Sequence, residues 1–209
     1  MVQVKMKKKD ATVYCNLLRH AALYNRRVAR PIAFRVNNAC NLLSAGGSVQ
    51  EDMITFANSL TGINYACKTD EELMVATVEP MDTLSYKDLC QNGILLANQD
   101  DDRIILHSIN QPLTATVYFR NSSGCFRESE NADFLNGHGV SVEDQRIVVL
   151  NSRHTDVESF CWDVVESITD EVTVNFEIQS FLNCSEASIL NDAIRQVHAC
   201  LDELVVPKK

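Results

Sequence analysis

Strict alternation of apolar and polar residues predicts β-strands through the middle of this chain. The clearest alternations are at residues 113–119 and 172–178, where every second side chain is apolar. Successive side chains of a strand point to opposite faces, so this pattern is typical of a strand with one buried face. Less regular runs predict further strands at residues 2–6, 32–36, 73–78, 104–106, 146–150 and 160–165.

Apolar residues at helical spacing predict a helix near each end of the chain. The first helix lies within residues 11–27 and cannot continue through Pro31. Its apolar stripe contains Leu17, Leu18, Ala21, Ala22 and Val28. The closing helix is predicted at residues 185–206. Its apolar residues follow the rhythm of a helix–helix seam and are Leu190, Ile194, Val197, Leu201 and Leu204.

A third, amphipathic helix is predicted at residues 48–62. Ser48 and Glu51 have the spacing of a capping box, in which each side chain accepts from the other residue's backbone N–H. Gly62 stands where a left-handed residue would end the helix. By contrast, residues 121–145 are rich in Asn, Ser, Gly and acids and are expected to form a long surface loop.

Helical seams at both ends and a mostly β middle predict an α+β fold with a discontinuous first domain. Residues 1–28 and 155–209 would form one domain, and residues 29–154 would form a mostly β domain inserted into it. The two terminal segments would then meet in space.

Composition and charge exclude two kinds of partner. The chain has 209 residues, of which 45% are hydrophobic, so it can bury a sizeable core. Its longest apolar runs are far too short to cross a bilayer, and no membrane association is expected. The formal charge is −9, and its basic cluster at residues 5–9 is short. No direct nucleic-acid binding is therefore expected.

The eight cysteines indicate a reducing compartment and no metal site. No two of them have the short spacing that delivers two ligands to one zinc ion. Cys161, beside Trp162, and Cys200, within a helical stripe, are expected to be reduced core thiols. The compartment is predicted to resemble the cytosol.

No catalytic residue and no cofactor is predicted. The acidic run at residues 100–102 lies in a predicted turn without a phosphate-binding glycine loop nearby. A nucleophilic pair of Cys161 and His154 stays open, although Cys161 lies in an apolar strand typical of a core.

Several segments, in order, resemble the alpha subunit of bacterial-type and plastid-type RNA polymerase. The sequence Ser-Val-Gln-Glu-Asp-Met from Ser48, followed by Leu-Thr-Gly-Ile from Leu60, resembles that family's Gly-Val-x-Glu-Asp-Val/Ile and Leu-Lys-Gly-Leu segment. Residues 15–23 resemble its Gly-Asn-Ala-Leu-Arg-Arg-Ile-Leu-Leu helix. Further similar segments are residues 84–89, 147–165, 174–178 and 185–206.

The resemblance implies a non-catalytic assembly subunit for transcription, within a nucleotidyltransferase complex. Two alpha-type subunits, as a homodimer or an alpha-like heterodimer, would form the platform for the beta and beta-prime subunits. The dimer interface would contain residues of both apolar stripes, namely Leu17, Leu18, Ala21, Ala22, Leu190, Ile194, Val197, Leu201 and Leu204. The large-subunit docking face would contain Arg19, His20, Val49, Glu51 and Asp52. A plastid is the favoured compartment, with the cytoplasm as the alternative.

Two alternatives stay open beside this interpretation. The stripes could instead form a seam within one chain, and Arg19 could be an ordinary surface charge. The chain could also be a free-standing adaptor or small enzyme with a helix-bounded β core, which would be a lone monomer.

The chain departs from the family pattern at several positions. His20 replaces an arginine, Ser48 replaces a glycine, and Asp156 stands where the family has proline. The family's extra N-terminal strand and its C-terminal DNA-binding domain are not expected in this chain. These departures argue against direct promoter contact and for a divergent lineage, such as a plastid remnant or a phage-like polymerase.

Overall fold

A computed structural model of the chain shows a mixed α and β structure, which is compatible with the α+β class. It describes residues 1–24, 26–37, 39, 41–43, 48–97, 102–143, 146–165, 169–182 and 184–202. The strand pairings within these ranges are antiparallel.

Most of the strands and helices fall where the sequence predicts them. The strands are β1 (Val2–Lys7), β2 (Val28–Val36), β3 (Tyr65–Cys67), β4 (Leu73–Met81), β5 (Thr83–Ser85), β6 (Ile94–Leu96), β7 (Ile104–His107), β8 (Leu113–Ser122), β9 (Gly124–Phe126), β10 (Val148–Val149), β11 (Ser152–His154), β12 (Val157–Val165) and β13 (Glu171–Ser180). The α-helices are α1 (Ala11–Tyr24), α2 (Met53–Gly62), α3 (Glu128–Gly137) and α4 (Glu186–Asp202). Short 3₁₀ turns cover Lys8–Asp10 and Lys87–Leu89.

The chain divides into two compact units. The first unit comprises Met1–Arg26 together with Thr155–Lys209, and the second comprises Arg27–His154.

The first unit has a three-stranded sheet packed against α1 and α4. Its strand order is β1-β13-β12. The buried side chains of β13 are Val172, Val174, Phe176 and Ile178. They pack with Cys15 and Leu18 of α1 and with Ile189 and Leu190 of α4. The alternation that predicted β13 therefore marks the core face of the sheet.

The second unit is built on a four-stranded sheet with the order β10-β2-β8-β4. The unit also contains three two-stranded pairings: β11-β9, β3-β6 and β5-β7. Helix α2 contributes Met53, Phe56 and Leu60 to the main core, where the Phe56 ring meets Phe34 of β2 edge to face. The apolar side of this helix, predicted to be amphipathic, is therefore its core face.

The predicted start of α2 is wrong. The helix begins at Met53, and its N-cap is Asp52, whose carboxylate accepts from the Thr55 backbone N–H at 2.7 Å. Glu51 accepts instead from the His107 backbone N–H at 2.7 Å, and Ser48 contacts the Asn37 amide at 2.7 Å. These distant partners remove both members of the predicted capping box. Gly62 is the last helical residue, and extended Ile63 follows it, so the left-handed ending is also wrong.

The predicted surface loop at residues 121–145 is also wrong. It contains the end of β8, all of β9 and the polar helix α3. The Arg120 guanidinium lies 3.6 Å from the Phe126 ring centre and 4.2 Å from that of Phe134. Asn131, fully buried, donates to Leu150 O and Ser152 Oγ. Polar contacts and the single fully buried apolar side chain of α3, Leu135, hold this segment, so it carries little hydrophobic periodicity.

The expectation that Cys161 and Cys200 are core thiols is wrong. Both are exposed. Along β12, Phe160, Trp162 and Val164 pack on the core, which leaves Cys161 on the opposite face. Cys15 is buried, and burial raises the pKa of its thiol. The described cysteines form no disulfide.

His154 is a buried, neutral residue of the second unit. Its Nδ1 lies 3.0 Å from Val28 O, so this nitrogen carries the proton and donates. Nε2 lies 2.9 Å from Ser152 Oγ. Burial, followed by the nearby Arg120 and Arg30 charges, lowers the pKa of His154 to about 4, against the Val28 hydrogen bond. These contacts assign His154 a structural role joining β11 to β2.

We expect acid to destabilise the protein through His154. The unfolded chain gains a proton below the ordinary pKa of 6.5, whereas folded His154 stays neutral to about 4. Its stabilisation is therefore present above pH 6.5 and is lost as the pH falls toward 4, by up to about 3 kcal/mol. Urea unfolding at several pH values gives the free energy of unfolding as a function of pH. Between pH 4 and 6.5 this free energy should change less steeply with pH in His154→Gln than in the unsubstituted chain. The exposed-residue control His138→Gln should keep the slope, and equal slopes in all three proteins would contradict this role.

Candidate docking surface

Helix α1 has two apolar faces, and only one of them packs on the core. Ala11, Cys15, Leu18 and Ala22 are buried in the first unit. On the other face the exposed large side chains are Val13, Tyr14, Leu17 and Tyr24, with exposures of 62%, 47%, 42% and 36%. A helix that packs only within its own unit needs one apolar face. The second face therefore marks α1 as an interaction element.

The end of α4 extends the same exposed surface. Ile189, Leu190 and Ala193 are buried near the start of the helix, whereas residues 198–202 are all exposed. Leu201 is 50% exposed. Core packing therefore covers the first part of α4 and leaves its last turns open.

A groove of about 320 Å³ runs between the two helices, and we call it the α1–α4 groove. Its lining residues are Leu17, His20, Ala21, Tyr24, Gln196, Val197, Cys200 and Leu201. Apolar side chains from both helices meet there, and large exposed apolar surfaces of this kind are typical of protein interfaces.

The residues predicted for the dimer interface divide between the core and this groove. Leu18, Ala21, Ala22 and Leu190 are buried, Ile194 and Val197 are partly buried, and Leu17 and Leu201 are exposed. Leu204 lies outside the described residues. Helices α1 and α4 pack against each other, so a seam within the chain does exist. The groove is the part of the predicted stripes that this seam leaves uncovered.

An arginine clamp at the end of α1 fixes the position of the groove helices. Arg26 Nε lies 2.8 Å from Asp156 Oδ2, and Nη1 lies 2.7 Å from Asp192 Oδ2 on α4. Nη2 contacts Cys184 Sγ at 3.1 Å. The Asp156 side chain is fully buried, and Ser180 Oγ is 3.3 Å from its Oδ2. One guanidinium thus ties α1 to α4 and to the chain just before β12.

The clamp arginine stays charged. Burial would lower the pKa of the Arg26 guanidinium, but the charge and hydrogen bonds of Asp156, with Cys184 and Asp192, raise it above its ordinary value. Sequence reasoning missed the clamp, because 130 residues separate Arg26 from Asp156. The available signal was Asp156 itself, an acid where the resembled family has proline.

The predicted large-subunit docking residues occupy several environments. In the first unit, Arg19 and His20 are exposed on α1, and the His20 ring stacks on Tyr24 with centres 5.9 Å apart. His20 therefore belongs to the α1–α4 groove. In the second unit, Val49 is buried in the core and Asp52 caps α2. The docking role of these residues stays a prediction.

Glu51 is hydrogen-bonded to His107 inside the second unit. Its carboxylate lies 2.6 Å from His107 Nδ1 and also accepts from the His107 backbone N–H. Burial would raise the pKa of Glu51, but the His107 hydrogen bonds lower it below its ordinary value. Glu51 is therefore a carboxylate that fixes the segment before α2 against β7.

The sequence predicts no metal site and leaves a nucleophilic pair of Cys161 and His154 open. Within the described ranges, no three His, Cys, Asp or Glu side chains are placed to share a metal ion. Asp102 pairs with Lys87 at 3.3 Å, and residues 100 and 101 lie outside the described part. His154 is committed to Val28 and Ser152, and Cys161 is an exposed strand residue. None of the described helices has the length and apolar character required to cross a membrane.

In comparison with known proteins, no family model matches the sequence, and no curated protein matches it. A function therefore has to be argued from the groove and the contacts described above.

Proposed function

We propose that this chain is a non-catalytic assembly subunit of a multisubunit DNA-directed RNA polymerase. Two alpha-type subunits pair through the α1–α4 groove and form the platform for the beta and beta-prime type subunits. The observation that carries the proposal is the second apolar face of α1, joined by Leu201 at the open end of α4.

The order of the two units along the chain supports the same assignment. Segments from both ends of the chain make the first unit, and the residues between them make the second. In this proposal the first unit is the discontinuous αβ dimerisation domain, and the second is an inserted, mostly β domain. The segments that resemble the polymerase family occur in the same order on these elements.

The proposal gives this chain no chemical step. Nucleotidyl transfer belongs to the large subunits, which hold the metal and the nucleotide. This chain acts as a scaffold, because it fixes the distance and the angle between the two surfaces that bind the large subunits. The compartment is a plastid or another reducing one.

Affinity purification of the tagged full-length chain from its source cells tests the polymerase assignment. We expect two proteins much larger than this chain, identified by peptide mass spectrometry as polymerase large subunits, and RNA synthesis on a DNA template by the purified material. Arg19→Asp should lower their recovery while the chain stays dimeric. Lys9→Asp, which reverses another exposed cation, should leave recovery unchanged. Recovery of the chain without large subunits would contradict the assignment.

A further inference from the structure

A second groove lies in the second unit, beside the β9-β11 pairing, and contains an exposed thiol. It has a volume of about 780 Å³ and is lined by Cys125, Arg127, Ser129, Asn151 and Arg153, with Glu130 at one side. Cys125 pairs directly with Arg153 across the two strands, so their side chains share one face. Arg127, two residues after Cys125 in extended backbone, lies on that face as well. We call this the thiol groove.

The thiol groove is electropositive in a protein whose net charge is −9. Neither Arg127 nor Arg153 forms an ion pair with an acid in the part of the chain that the structure describes. The one acid of the lining, Glu130, accepts from the Arg127 backbone N–H at 2.7 Å and keeps its charge, so the lining carries two positive groups and one negative group. Two guanidinium groups are therefore available to a negatively charged molecule at Cys125.

The charge of Arg153 also acts on the nearby Arg30. Burial lowers the pKa of the Arg30 guanidinium, and the Arg153 charge lowers it further, whereas Tyr65 acts in the opposite direction. Two arginines thus repel each other close to the thiol groove. An anion bound there would relieve that repulsion.

Cys161, in the first unit, is an exposed cysteine whose neighbouring side chains are acidic, so it can be compared with Cys125. It is also an exposed strand cysteine, but it pairs directly with Glu177 across β12 and β13. Asp163, two residues further along β12, is exposed on the same face. The two thiols therefore share exposure and secondary structure and differ in the sign of the surrounding charge.

We propose that Cys125 is a thiol-modification site that recognises anionic low-molecular-weight disulfides, with Arg127 and Arg153 holding the carboxylates of the reagent. The Cys125 thiolate attacks one sulfur of the reagent, and the reagent's S–S bond breaks. A mixed disulfide forms on Cys125, the other half of the reagent leaves as a thiolate, and the Cys125 proton goes to water. The disulfide is the oxidant, and Cys125 is oxidised.

Reagents of different charge test this site on the full-length chain without any substitution. Glutathione disulfide is negatively charged, hydroxyethyl disulfide is neutral and cystamine is positively charged. Peptide mass spectrometry measures the rate of mixed-disulfide formation at each cysteine. With glutathione disulfide at low salt, we expect Cys125 to react about tenfold faster than Cys161, as exposed charges at short range predict. The ratio should shrink in high salt and reverse with cystamine.

Substitutions then assign the selectivity to the arginine pair. Arg153→Gln should slow the reaction of glutathione disulfide at Cys125 about threefold and leave hydroxyethyl disulfide unaffected. The control Arg35→Gln removes another exposed strand arginine of the same unit and should change neither rate. Equal reaction rates of glutathione disulfide at Cys125 and Cys161 would overturn the proposal. So would a preference of Cys125 over Cys161 that does not decrease from the negative to the neutral to the positive reagent.

Discussion

Replacing Leu201 with aspartate is expected to convert the proposed dimer of this chain into a monomer. Leu201 is half exposed in the single chain and lies at the open end of the α1–α4 groove. Pairing through that groove would bury the new carboxylate among apolar side chains without a partner, which costs at least about 2 kcal/mol. A two-fold interface carries the change twice, so the dissociation constant should rise about 1000-fold or more.

Size-exclusion chromatography with light scattering at micromolar concentration measures this change. Ile104→Asp is the matched control, because Ile104 is 48% exposed, close to the 50% of Leu201, and belongs to the second unit. The control should remain dimeric. A dimer that survives Leu201→Asp would place the interface elsewhere, and an unsubstituted chain that is monomeric would contradict pairing itself.

The two clearest strands, β8 and β13, could be predicted because the core mainly selects one face of each of them. In β8, Leu113, Ala115 and Val117 are buried, and in β13 Val174 and Phe176 are buried. A local alternation is enough to detect that selection. Both helices of the first unit were predicted for the same reason, since their core faces repeat at helical spacing.

The errors arise where partners distant in sequence determine local structure. Glu51 was assigned to a helix cap, but His107, 56 residues away, takes its carboxylate. Helix α3 buries only Asn131 and Leu135 in its whole length, so it has no apolar stripe to detect. Neither the Glu51–His107 contact nor the burial of two side chains in α3 leaves a periodic pattern in the sequence.

The candidate site shows the same division. The stripe residues Leu17 and Leu201 were predicted from their spacing, and they do line one groove. What the spacing could not separate is the core face of α1 from its exposed face, because apolar residues occupy both. The clamp of Arg26 with Asp156 and Asp192 joins three separate segments, so it required the fold itself.

Removing the clamp arginine is expected to have the largest effect on stability. Arg26→Met keeps an apolar side chain of similar length but leaves the buried Asp156 carboxylate with Ser180 as its remaining side-chain partner. Breaking a buried pair from one side costs about 3–5 kcal/mol. The chain's single tryptophan, Trp162, packs on the core of the first unit, so its fluorescence during urea unfolding reports on that unit.

An exposed arginine of the same unit supplies the control. Arg195 of α4 pairs with Asp192 at 3.7 Å, and these side chains are 81% and 44% exposed. Exposed pairs of this kind contribute less than about 1 kcal/mol, so Arg195→Met should shift the unfolding curve little. Equal losses for Arg26→Met and Arg195→Met would contradict the clamp.

A double substitution separates the cost of the buried charge from the loss of packing. In Arg26→Met with Asp156→Asn, the buried group is neutral, and its amide can still bond to Ser180. If the uncompensated carboxylate causes the loss, the double variant should be more stable than Arg26→Met alone by about 2 kcal/mol. A double variant as unstable as the single one would mean that the guanidinium acts by filling space. The groove helices would then be positioned by packing, and Asp156 would have no electrostatic role in holding α1 against α4.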